Sequence, residues 1–551
     1  MTGADISYLD GGPAPLTDVA TLGDALLRAA NTAGPERICY IRADGSEVTR
    51  GYPDLVDEAA RILAGLRASG ARPGEKIILQ IADDPQLIAA FWACVLGGYV
   101  PMPVSAAADT GPGLLERVWA GYGRPRVVTG AGQPLAPGVA THPDWPAALI
   151  GDTASLLSHT PDRDWHRADP DDLAVLLLTS GSTGVPKAVM LSHRNILGRS
   201  AATAQVNRLG RANRTFNWMP LDHVGGLVMF HARDVYLGCH QVHAPIQWVL
   251  EDPLRWPAAI DRHRADTTWA PNFAFGLIND QAERLPEFSW DLTCLRYIMN
   301  GGEAVRSSVV RRFLDLLGAF GLPGNAMYPG WGMSETTAGV ADCRFTEAAG
   351  GDERYVPVGR PQPGTKVRVV DEHGELVPPG TVGRLQVTGV TVTAGYYDNA
   401  EQNRQSFTAD GWFKTGDLAY VEDGILTVTG RVDDVIEIGD IVYHGHEIEA
   451  AVEELDLVEP SYTVATLVSG TEDGTEELAV FFHPRRGDAT DEDLAEIRAQ
   501  VATRLGVEVR HVLPADKEDV PKTGIGKLRR AQLRQRFEAE AARREPIPAR
   551  R

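Results

Sequence analysis

The chain has 551 residues, of which 43% are hydrophobic and 23% charged, and its formal net charge is −21. This length exceeds what a single hydrophobic core usually organises, so two or more domains are expected. The composition is that of a water-soluble globular protein. The strongly negative charge disfavours nucleic acid and an anionic membrane surface as partners.

No targeting or membrane segment is predicted. Residues 1–16 include two acids and lack the charged-then-apolar layout of a signal peptide. The most apolar run, 87–100, is too short to span a bilayer and is expected to form a buried helix that leads into a strand. Five scattered cysteines without C-x-x-C spacing argue against a disulfide framework or a zinc site and favour a cytoplasmic location.

Helical and strand-like patterns alternate from residue 22 to about residue 128. The predicted elements are a helix over 57–66, a strand over 76–80 and a helix over 85–96. This alternation indicates an α/β layout with a mainly parallel sheet. The segment 129–169 is rich in Gly, Pro, Ala and Asp and is expected to be irregular. Further strand and helix segments are predicted at 216–219, 267–278 and 295–300.

The pattern changes in the last third of the chain. From about 356 to 430, turn signals separate short Val/Thr/Leu/Tyr-rich stretches, which indicates a β-rich subdomain. Beyond 431 the pattern is mixed α+β, with helices predicted over 447–455 and 491–505, strands over 461–468 and 477–483, and a basic helix near the end. We therefore expect an N-terminal domain over 1–430 and a C-terminal domain over 431–551.

One loop has the composition of a phosphate-binding loop. It follows an apolar stretch and reads Thr179-Ser180-Gly181-Ser182-Thr183-Gly184-Val185-Pro186-Lys187. Glycines admit an anion close to backbone N–H groups, hydroxyls donate further hydrogen bonds, and a lysine supplies charge. The Walker spacing G-x-x-x-x-G-K-[ST] is not present in this loop. Taken alone, the loop fits a flexible surface segment equally well.

Five motifs decide between these alternatives. They are TSGSTGVPKAV (179–189), GWGMSET (330–336), GWFKTGDLA (411–419), GRVDD (430–434) and PKTGIGK (521–527). In order and spacing they resemble the adenylate-forming superfamily of AMP-binding enzymes, which includes acyl-CoA synthetases, nonribosomal adenylation domains and fatty acyl-AMP ligases. The resemblance implies a large multi-sheet α/β N-terminal domain and a small, mobile α+β C-terminal domain. It implies that a carboxylate and ATP give an acyl-adenylate and pyrophosphate, and that the acyl group then usually passes to a thiol.

The resemblance also implies ATP and Mg²⁺ as cofactors and assigns residues to the phosphates. Contacts to the β- and γ-phosphates are expected from Thr179, Ser180, Gly181, Ser182, Thr183, Gly184 and Lys187. Glu335 is the expected Mg²⁺ ligand, because a hard cation prefers carboxylate oxygen, and Ser334 is expected at the α-phosphate. Lys527 matches the mobile lysine that stabilises charge during adenylation, and it follows two glycines that suit a moving loop.

The nucleoside and the hinge are assigned in the same way. Nucleotide contacts are expected from Gly302, Glu303, Trp331, Gly332, Asp417 and Arg431. Trp331 would stack on adenine, although the same residue also fits a core tryptophan. Asp417 would accept hydrogen bonds from ribose hydroxyls. Asp433 matches the hinge position, although an aspartate there also fits a simple turn.

The acid pocket is expected to include His223, Asn272, Phe273, Gly301 and Trp331. His223 lies in PLDHVGGL (220–227), where relatives carry a histidine that gates the acid pocket. The segments WAPNFAF (269–275) and NGGEAVR (300–306) resemble fatty acyl-AMP ligases and adenylation domains attached to polyketide synthases. Because no carrier domain follows Arg551, a separate acyl or peptidyl carrier protein is the expected partner of this small-molecule ligase.

One departure from the family pattern concerns the acceptor. Glu437 and Asp440 stand where many relatives have lysine and glycine, and their charge opposes the polyphosphate of CoA. This leaves room for a non-thiol acceptor, such as an amine in amide formation, or for nitrite-dependent diazotisation of an aryl amine. A non-catalytic nucleotide-binding scaffold is disfavoured, because Lys187, Glu335, Asp417 and Lys527 are all present.

Overall fold

The fold is taken from a computed structural model of the chain. It describes residues 6–32, 34–106, 113–133, 142–179, 185–346, 354–438, 441–469, 476–522 and 528–544. The chain divides into two compact units: unit 1 comprises Met1–Thr415 with Tyr420–Val428, and unit 2 comprises Gly416–Ala419 with Thr429–Arg551. The predicted α/β class with a large sheet-rich N-terminal part is confirmed. The domain limits given above, and the mobility of the second domain, stay predictions.

The strands are numbered in chain order. They are β1 (Tyr8–Asp10), β2 (Arg37–Ile41), β3 (Glu47–Gly51), β4 (Lys76–Gln80), β5 (Val100–Pro103), β6 (Arg126–Thr129), β7 (Leu149–Asp152), β8 (Leu173–Thr179), β9 (Lys187–Ser192), β10 (Arg214–Asn217), β11 (His240–His243), β12 (Thr267–Ala270), β13 (Tyr297–Gly301), β14 (Met327–Met333), β15 (Ala338–Asp342), β16 (Arg360–Pro361), β17 (Thr365–Val370), β18 (Gly383–Gly389), β19 (Phe413–Glu422), β20 (Ile425–Arg431), β21 (Val435–Ile438), β22 (Ile441–His444), β23 (Val458–Ser469), β24 (Glu476–Pro484) and β25 (His511–Pro514).

The helices are numbered separately. The α-helices are α1 (Leu22–Asn31), α2 (Tyr52–Ala68), α3 (Asp84–Gly97), α4 (Leu114–Gly121), α5 (Trp145–Ala148), α6 (Thr153–Leu157), α7 (His193–Asn207), α8 (Arg233–Leu237), α9 (Ile246–Glu251), α10 (Arg255–His263), α11 (Asn272–Asn279), α12 (Ser307–Gly318), α13 (Ala400–Ser406), α14 (Gly445–Val452), α15 (Asp491–Leu505) and α16 (Arg530–Arg544). A π-helix spans Gly225–Ala232, and 3₁₀ turns span Ala282–Glu287, Ser334–Thr336, Val432–Asp434 and Lys517–Asp519.

The largest sheet has nine strands in the order β16-β15-β14-β13-β12-β10-β11-β2-β3. Its inner strands, from β14 to β2, run parallel, and antiparallel strands form both edges. The inner strands are buried and rich in apolar residues, as is usual for a parallel sheet covered on both faces. The carboxyl ends of its parallel strands therefore share one edge of the sheet.

Smaller sheets complete the two units. In unit 1, a parallel sheet β5-β4-β6-β7 packs against the antiparallel hairpin β8–β9 through a cluster that includes Ile78, Val127 and Leu176. A third sheet has the order β1-β17-β18-β19-β20. In unit 2, β23, β24 and β25 form a sheet whose core includes Val480 and Phe482, packed with Ile497 of α15.

Local signals account for several element boundaries. The Ser192 side chain accepts from Asn195 N at 3.1 Å and caps the start of α7. Helix α3 ends at Gly97 and is capped by Gly98, whose φ of 73° suits glycine. The expected irregular segment 129–169 is wrong in part, because it contains α5, β7 and α6. Trp145 is buried there against Trp119, with ring centroids 5.5 Å apart, which ties that stretch to the core.

The cysteines and the apolar helices bear on two of the sequence predictions. All five cysteines lie within the described ranges and are free thiols. In those ranges, no helix combines the length and apolar character needed to cross a membrane. The strand predicted at 216–219 is β10, which ends earlier. The Asn217 side chain accepts from Met219 N at 3.2 Å and donates to Met219 O at 3.0 Å, so it closes the strand in a turn.

Candidate active site

The expected pocket residues follow the carboxyl ends of neighbouring parallel strands. His223 comes after β10, Asn272 after β12, and Gly301 ends β13. Strand β14 carries Trp331 and leads directly into Glu335. The register sets Ala270 opposite Asn300 and Gly301 opposite Gly330, so these positions lie side by side. In open α/β sheets, ligands bind at the carboxyl edge of the strands.

A tight turn fixes His223. Its N–H donates to Pro220 O at 3.2 Å, and its carbonyl accepts from Leu227 N at 2.9 Å. The ring nitrogen Nδ1 accepts from Gly225 N at 3.1 Å. Because Nδ1 is an acceptor, the proton of the neutral ring is assigned to Nε2. Two backbone hydrogen bonds and one ring hydrogen bond therefore hold this half-buried residue, with the ring proton on Nε2.

The π-helix that follows is packed against the turn and against one tryptophan. A Cβ on Gly226 would lie 2.2 Å from Pro220 O, and one on Gly225 would lie 2.1 Å from the Trp269 ring. These approaches require glycine at both positions. Short π-helical segments occur frequently at functional sites, and this one begins two residues after His223.

Beneath this turn lies a buried hydrogen-bonded group, which we call the histidine chain: Trp92, His231, Gln241, His243 and Asn217. Trp92 Nε1 donates to His231 Nε2 at 2.8 Å, and His231 Nδ1 and His243 Nε2 lie 2.9 and 3.0 Å from Gln241 Oε1. Asn217 Nδ2 lies 3.2 Å from His243 Nδ1. One neutral tautomer of each histidine satisfies all these bonds. Burial lowers the pKa of His231 to about 4 and that of His243 well below its usual value.

The histidine chain contacts Trp269 through Asn217, and a buried arginine connects the π-helix to the strand that follows the Glu335 turn. Asn217 Oδ1 accepts from Trp269 Nε1 at 3.2 Å, which fixes the ring that contacts Gly225. Arg199 donates to Met229 O in the π-helix at 3.1 Å and to Gly339 O, after the Glu335 turn, at 3.2 Å. Burial lowers the pKa of Arg199 to about 10.

The loop after β13 is organised around two asparagines. Asn272 Oδ1 accepts from Asn300 Nδ2 at 3.3 Å and from Arg306 N at 3.1 Å. Asn300 Oδ1 is buried without a hydrogen-bond partner among the described residues. Such an acceptor at the expected adenine loop is open to a donor from a ligand.

Glu303 has a different contact from the one that the resemblance implies. Its Oε1 accepts from Phe273 N at 2.6 Å, so the carboxylate satisfies an N–H at the start of α11. Gly301 and Gly302 meet backbone requirements. A Cβ on Gly301 would lie 2.6 Å from Gly330 O, and Gly302 has a φ of 91°. The structure therefore gives Glu303 a structural contact, and its nucleotide contact stays a prediction.

The Trp331–Glu335 segment ends in a strained turn. Trp331 is 8% exposed, and a Cβ on Gly332 would lie 2.1 Å from Ala338 O. Thr337 and Ala338 have φ values of 60° and 85°, which are uncommon for residues other than glycine. The Thr337 hydroxyl donates to Thr391 O at 2.6 Å and holds this geometry. Strained backbone of this kind clusters at functional sites.

Glu335 and Lys187 meet at Tyr396. Glu335 is 6% exposed, and its Oε1 accepts from the Tyr396 hydroxyl at 2.7 Å. Lys187 Nζ lies 5.1 Å from the centroid of the Tyr396 ring. Thr179 is paired with Lys187 across the β8–β9 hairpin. The structure thus brings the predicted metal ligand and the predicted phosphate lysine to one tyrosine.

Unit 2 holds the predicted ribose contacts. Asp417 is 9% exposed, and its Oδ1 lies 3.9 Å from Nη1 of Arg431. Asp433 lies exposed in the 3₁₀ turn Val432–Asp434, and its hinge role stays a prediction. The predicted phosphate residues 180–184 and the predicted mobile Lys527 lie outside the described residues.

Three contributors were missed by sequence reasoning: Tyr396, Arg199 and the histidine chain. Tyr396 lies in GYYD (395–398), which has the appearance of an ordinary turn. Nothing in its spacing points to Glu335, which is 61 residues earlier. The buried histidines lie in apolar stretches where a core residue and a ligand have the same sequence pattern.

Comparison with known proteins identifies the class. The AMP-binding enzyme family matches residues 27–397. The chain therefore belongs to the AMP-binding enzyme family, and it is an AMP-forming ligase of the kind that uses ATP to activate an acid.

Two curated relatives are synthetases from Aspergillus terreus and Tapinella panuoides. The chain is 33% identical over 513 residues to the nonribosomal peptide synthetase apvA of Aspergillus terreus (strain NIH 2624 / FGSC A1156), covering 88% of this chain and 54% of that protein. It is 30% identical over 545 residues to the atromentin synthetase of Tapinella panuoides, covering 94% of this chain and 56% of that protein. The chain thus spans about half the length of these relatives.

Solved structures give closer similarity. A structure of McyG A-PCP complexed with phenylalanyl-adenylate is 36% identical, with a TM-score of 0.90, and covers 96% of this chain and 97% of that one. The adenylation domain of a keto acid-selecting nonribosomal peptide synthetase module, bound to keto acyl adenylate, is 35% identical, with a TM-score of 0.74, and covers 93% of this chain and 100% of that one.

Proposed function

We propose that the chain adenylates a 2-oxo acid with an aromatic side chain and transfers the acyl group to the thiol of a separate carrier protein. The observation that carries the adenylation step is the convergence of Glu335 and Lys187 on Tyr396, beside the strand that carries Trp331. Keto acyl adenylate and phenylalanyl-adenylate in related structures support the acid class.

The surroundings of His223 support an acid without an ammonium group. Val224, Gly225 and Gly226 are buried and apolar. The Pro220 carbonyl already accepts from His223 N and is packed against Gly226. The nearby histidine chain is neutral, because burial lowers the pKa values of His231 and His243. The neutral histidine chain supplies no charge to pair with an ammonium group, whereas a 2-oxo group needs only a donor, such as His223 Nε2–H.

In the first step, a carboxylate oxygen of the acid attacks the α-phosphorus of ATP. The bond between that phosphorus and the bridging oxygen breaks, and pyrophosphate leaves with the electron pair. This chemistry needs alignment and charge neutralisation rather than covalent help from the protein. Lys187 would neutralise the departing phosphates, and the Ser334 hydroxyl would donate to the α-phosphate. Trp331 would stack on adenine.

The residues present suit Mg²⁺. Glu335 presents hard carboxylate oxygens, one of which accepts from Tyr396. Mg²⁺ is commonly bound by one or two carboxylates together with substrate phosphates, and when bound it neutralises charge on the phosphate oxygens. Glu335 would therefore hold the ion.

In the second step, the carrier thiol attacks the acyl carbon. A C–S bond forms, the C–O bond to AMP breaks, and the thiol proton passes to solvent. Free CoA is a poor acceptor in this proposal, because Glu437 is exposed on β21 and repels polyphosphate. A McyG structure that contains an A-PCP pair supports a carrier as the partner.

The test is ATP–pyrophosphate exchange with matched acids. We expect exchange with phenylpyruvate at least about 10-fold faster than with phenylalanine, corresponding to about 1.4 kcal/mol of discrimination. An aliphatic 2-oxo acid tests whether the aromatic ring of the substrate is needed, and a fatty acid tests whether the 2-oxo group is needed. Mass spectrometry of a carrier protein should then detect a thioester.

Two outcomes would contradict this proposal. Exchange with phenylalanine but not phenylpyruvate would remove the 2-oxo assignment. ATP turnover only with an amine, or only with an aryl amine plus nitrite, would replace the carrier thiol by a non-thiol acceptor.

A further inference from the structure

The segment 393–397 is a rigid crosspiece between two parts of unit 1 that are far apart in sequence. The Thr393 hydroxyl donates to Met190 O at 2.6 Å, Met190 N donates to Gly395 O at 3.0 Å, and Tyr397 N donates to Ala188 O at 2.8 Å. Thr393 N donates to Glu335 O at 2.8 Å. The segment therefore joins β9, which begins at Lys187, to the turn that carries Glu335.

The backbone of Tyr396 is clamped within this crosspiece. Its N–H donates to Asn403 Oδ1 at 2.7 Å, and its carbonyl accepts from Asn403 Nδ2 at 2.9 Å. A Cβ on Gly395 would lie 2.6 Å from Asn403 Oδ1, so glycine is required for this approach. Tyr396 is 5% exposed. Its ring is thus held by its own backbone and by burial.

The Tyr396 side chain contacts Glu335 with its hydroxyl group and Lys187 with its aromatic ring. The hydroxyl donates to Glu335 Oε1 at 2.7 Å, which restricts rotation of a carboxylate that is itself 6% exposed. The π face lies 5.1 Å from Lys187 Nζ, within range of a cation–π interaction. One residue therefore positions a negative and a positive group of the same site.

We propose that Tyr396 is a positioning residue that sets the divalent-cation dependence of nucleotide binding. Its hydroxyl fixes the Glu335 carboxylate for the cation, and its ring holds Lys187 beside the triphosphate. This inference rests on the proposed function, which gives Glu335 the cation and Lys187 the phosphates. Residues that orient metal ligands typically change metal affinity or activity about 10- to 100-fold when mutated.

The decisive variant is Tyr396→Phe, which removes one oxygen and keeps the ring. We expect the half-saturating Mg²⁺ concentration for ATP binding, measured by calorimetry at fixed ATP, to rise about 10-fold. The dissociation constant of ATP without divalent cation and the melting temperature should stay within twofold and within about 1–2 °C of the parent values. A general packing defect would shift the melting temperature without this selective change.

Tyr397→Phe is the matched control. The Tyr397 hydroxyl lies 3.2 Å from Lys76 Nζ rather than beside Glu335, so the Mg²⁺ dependence should not change. Tyr396→Leu also removes the ring, and we expect it to weaken cation-free ATP binding about two- to fivefold in addition, because a cation–π contact is lost.

Glu335→Gln distinguishes the positioning role of Tyr396 from the cation-binding role of Glu335. If Glu335→Gln shifts the Mg²⁺ dependence and Tyr396→Phe does not, the positioning role of Tyr396 is overturned and the proposed function stands. If neither variant shifts it, Glu335 is not the cation ligand, and both the inference and that part of the proposed function fail. A shift in both variants, with Tyr397→Phe unchanged, supports the inference.

Discussion

Around His223, the histidine chain joins five buried side chains by hydrogen bonds, and two glycines fix the backbone by close packing. Around Glu335, the two charged side chains meet at a single tyrosine. The histidine chain is neutral and densely hydrogen-bonded, whereas the second region contains a carboxylate and an ammonium group. Both lie in unit 1.

The two regions differ in what positions their functional groups: backbone packing on the acid side and side-chain contacts between charged groups on the phosphate side. On the acid side, the position of His223 depends on main-chain geometry, so substitutions should affect folding and pocket shape together. On the phosphate side, the charges depend on a few side-chain contacts. Isosteric substitutions there should alter catalysis with little effect on stability.

Removing the Glu335 charge should give the largest effect. Glu335→Gln keeps the shape of the side chain and an oxygen that can accept from Tyr396, but it removes the hard anionic ligand. We expect pyrophosphate exchange at saturating acid to fall about 10³-fold, or about 4 kcal/mol, with little change in melting temperature. Glu375→Gln, at an exposed position, is the charge control. Retention of more than a tenth of the parent rate would show that charge at this position is not needed.

Adding one methyl group on the acid side should mainly affect stability. In Gly225→Ala, the new Cβ would meet a buried Trp269 ring that is bonded to Asn217. We expect a loss of about 2–3 kcal/mol in the free energy of unfolding, measured by urea denaturation. Gly276→Ala in α11 is the matched control, since a Cβ added there would meet no atom within 4 Å beyond its chain neighbours and its own helix backbone, and alanine favours a helix. If Gly225→Ala and Gly276→Ala have equal free energies of unfolding, the close packing of Gly225 against Trp269 does not contribute to stability.

Acid pH should weaken the histidine chain. Burial lowers the pKa of His231 to about 4, whereas in the unfolded chain histidine titrates near about 6.5. Between these values the unfolded chain binds more protons, so the free energy of unfolding falls as pH decreases from about 6.5 to about 4. Each such ring contributes up to about 1.4 kcal/mol per pH unit.

The measurement compares variants, since other groups titrate in the same range. Burial raises the pKa of Asp84 to about 7, and this group acts in the opposite direction. His231→Gln should reduce the dependence of the unfolding free energy on pH by up to about 1.4 kcal/mol per pH unit between pH values of about 4 and about 6.5. His373→Gln, whose ring is 78% exposed, should leave the slope unchanged. An unchanged slope in His231→Gln would mean that His231 is not held neutral.

Sequence patterns predicted much of the framework and part of the site. The capping residues at Ser192 and the helix over 491–505 were predictable because they depend on local signals. The order of five motifs indicated the family before any geometry was known. The π-helix was not predictable, because GGLVMFHA is apolar throughout and shows no helical period.

Contacts between distant residues explain the other misses. The hydrogen bond from Tyr396 to Glu335 could not be predicted from the sequence. It depends on how the segment 393–397 packs on β9, and no local pattern encodes that packing. The bond from Phe273 N to Glu303 likewise joins residues 30 positions apart, and no local pattern predicts it. The segment around Trp145 looked irregular because its order comes from packing on Trp119 rather than from periodicity.

The π-helix after His223 makes the position of this residue sensitive to the number of residues between Gly225 and Ala232. A π-helical turn accommodates one residue more than an α-helical turn does. Deleting one residue from Gly225–Ala232 would restore ordinary helical spacing and rotate the preceding segment by about 100° relative to the rest of the helix. Inserting or deleting one residue here would therefore move His223 relative to the helix, which substitutions alone would not achieve.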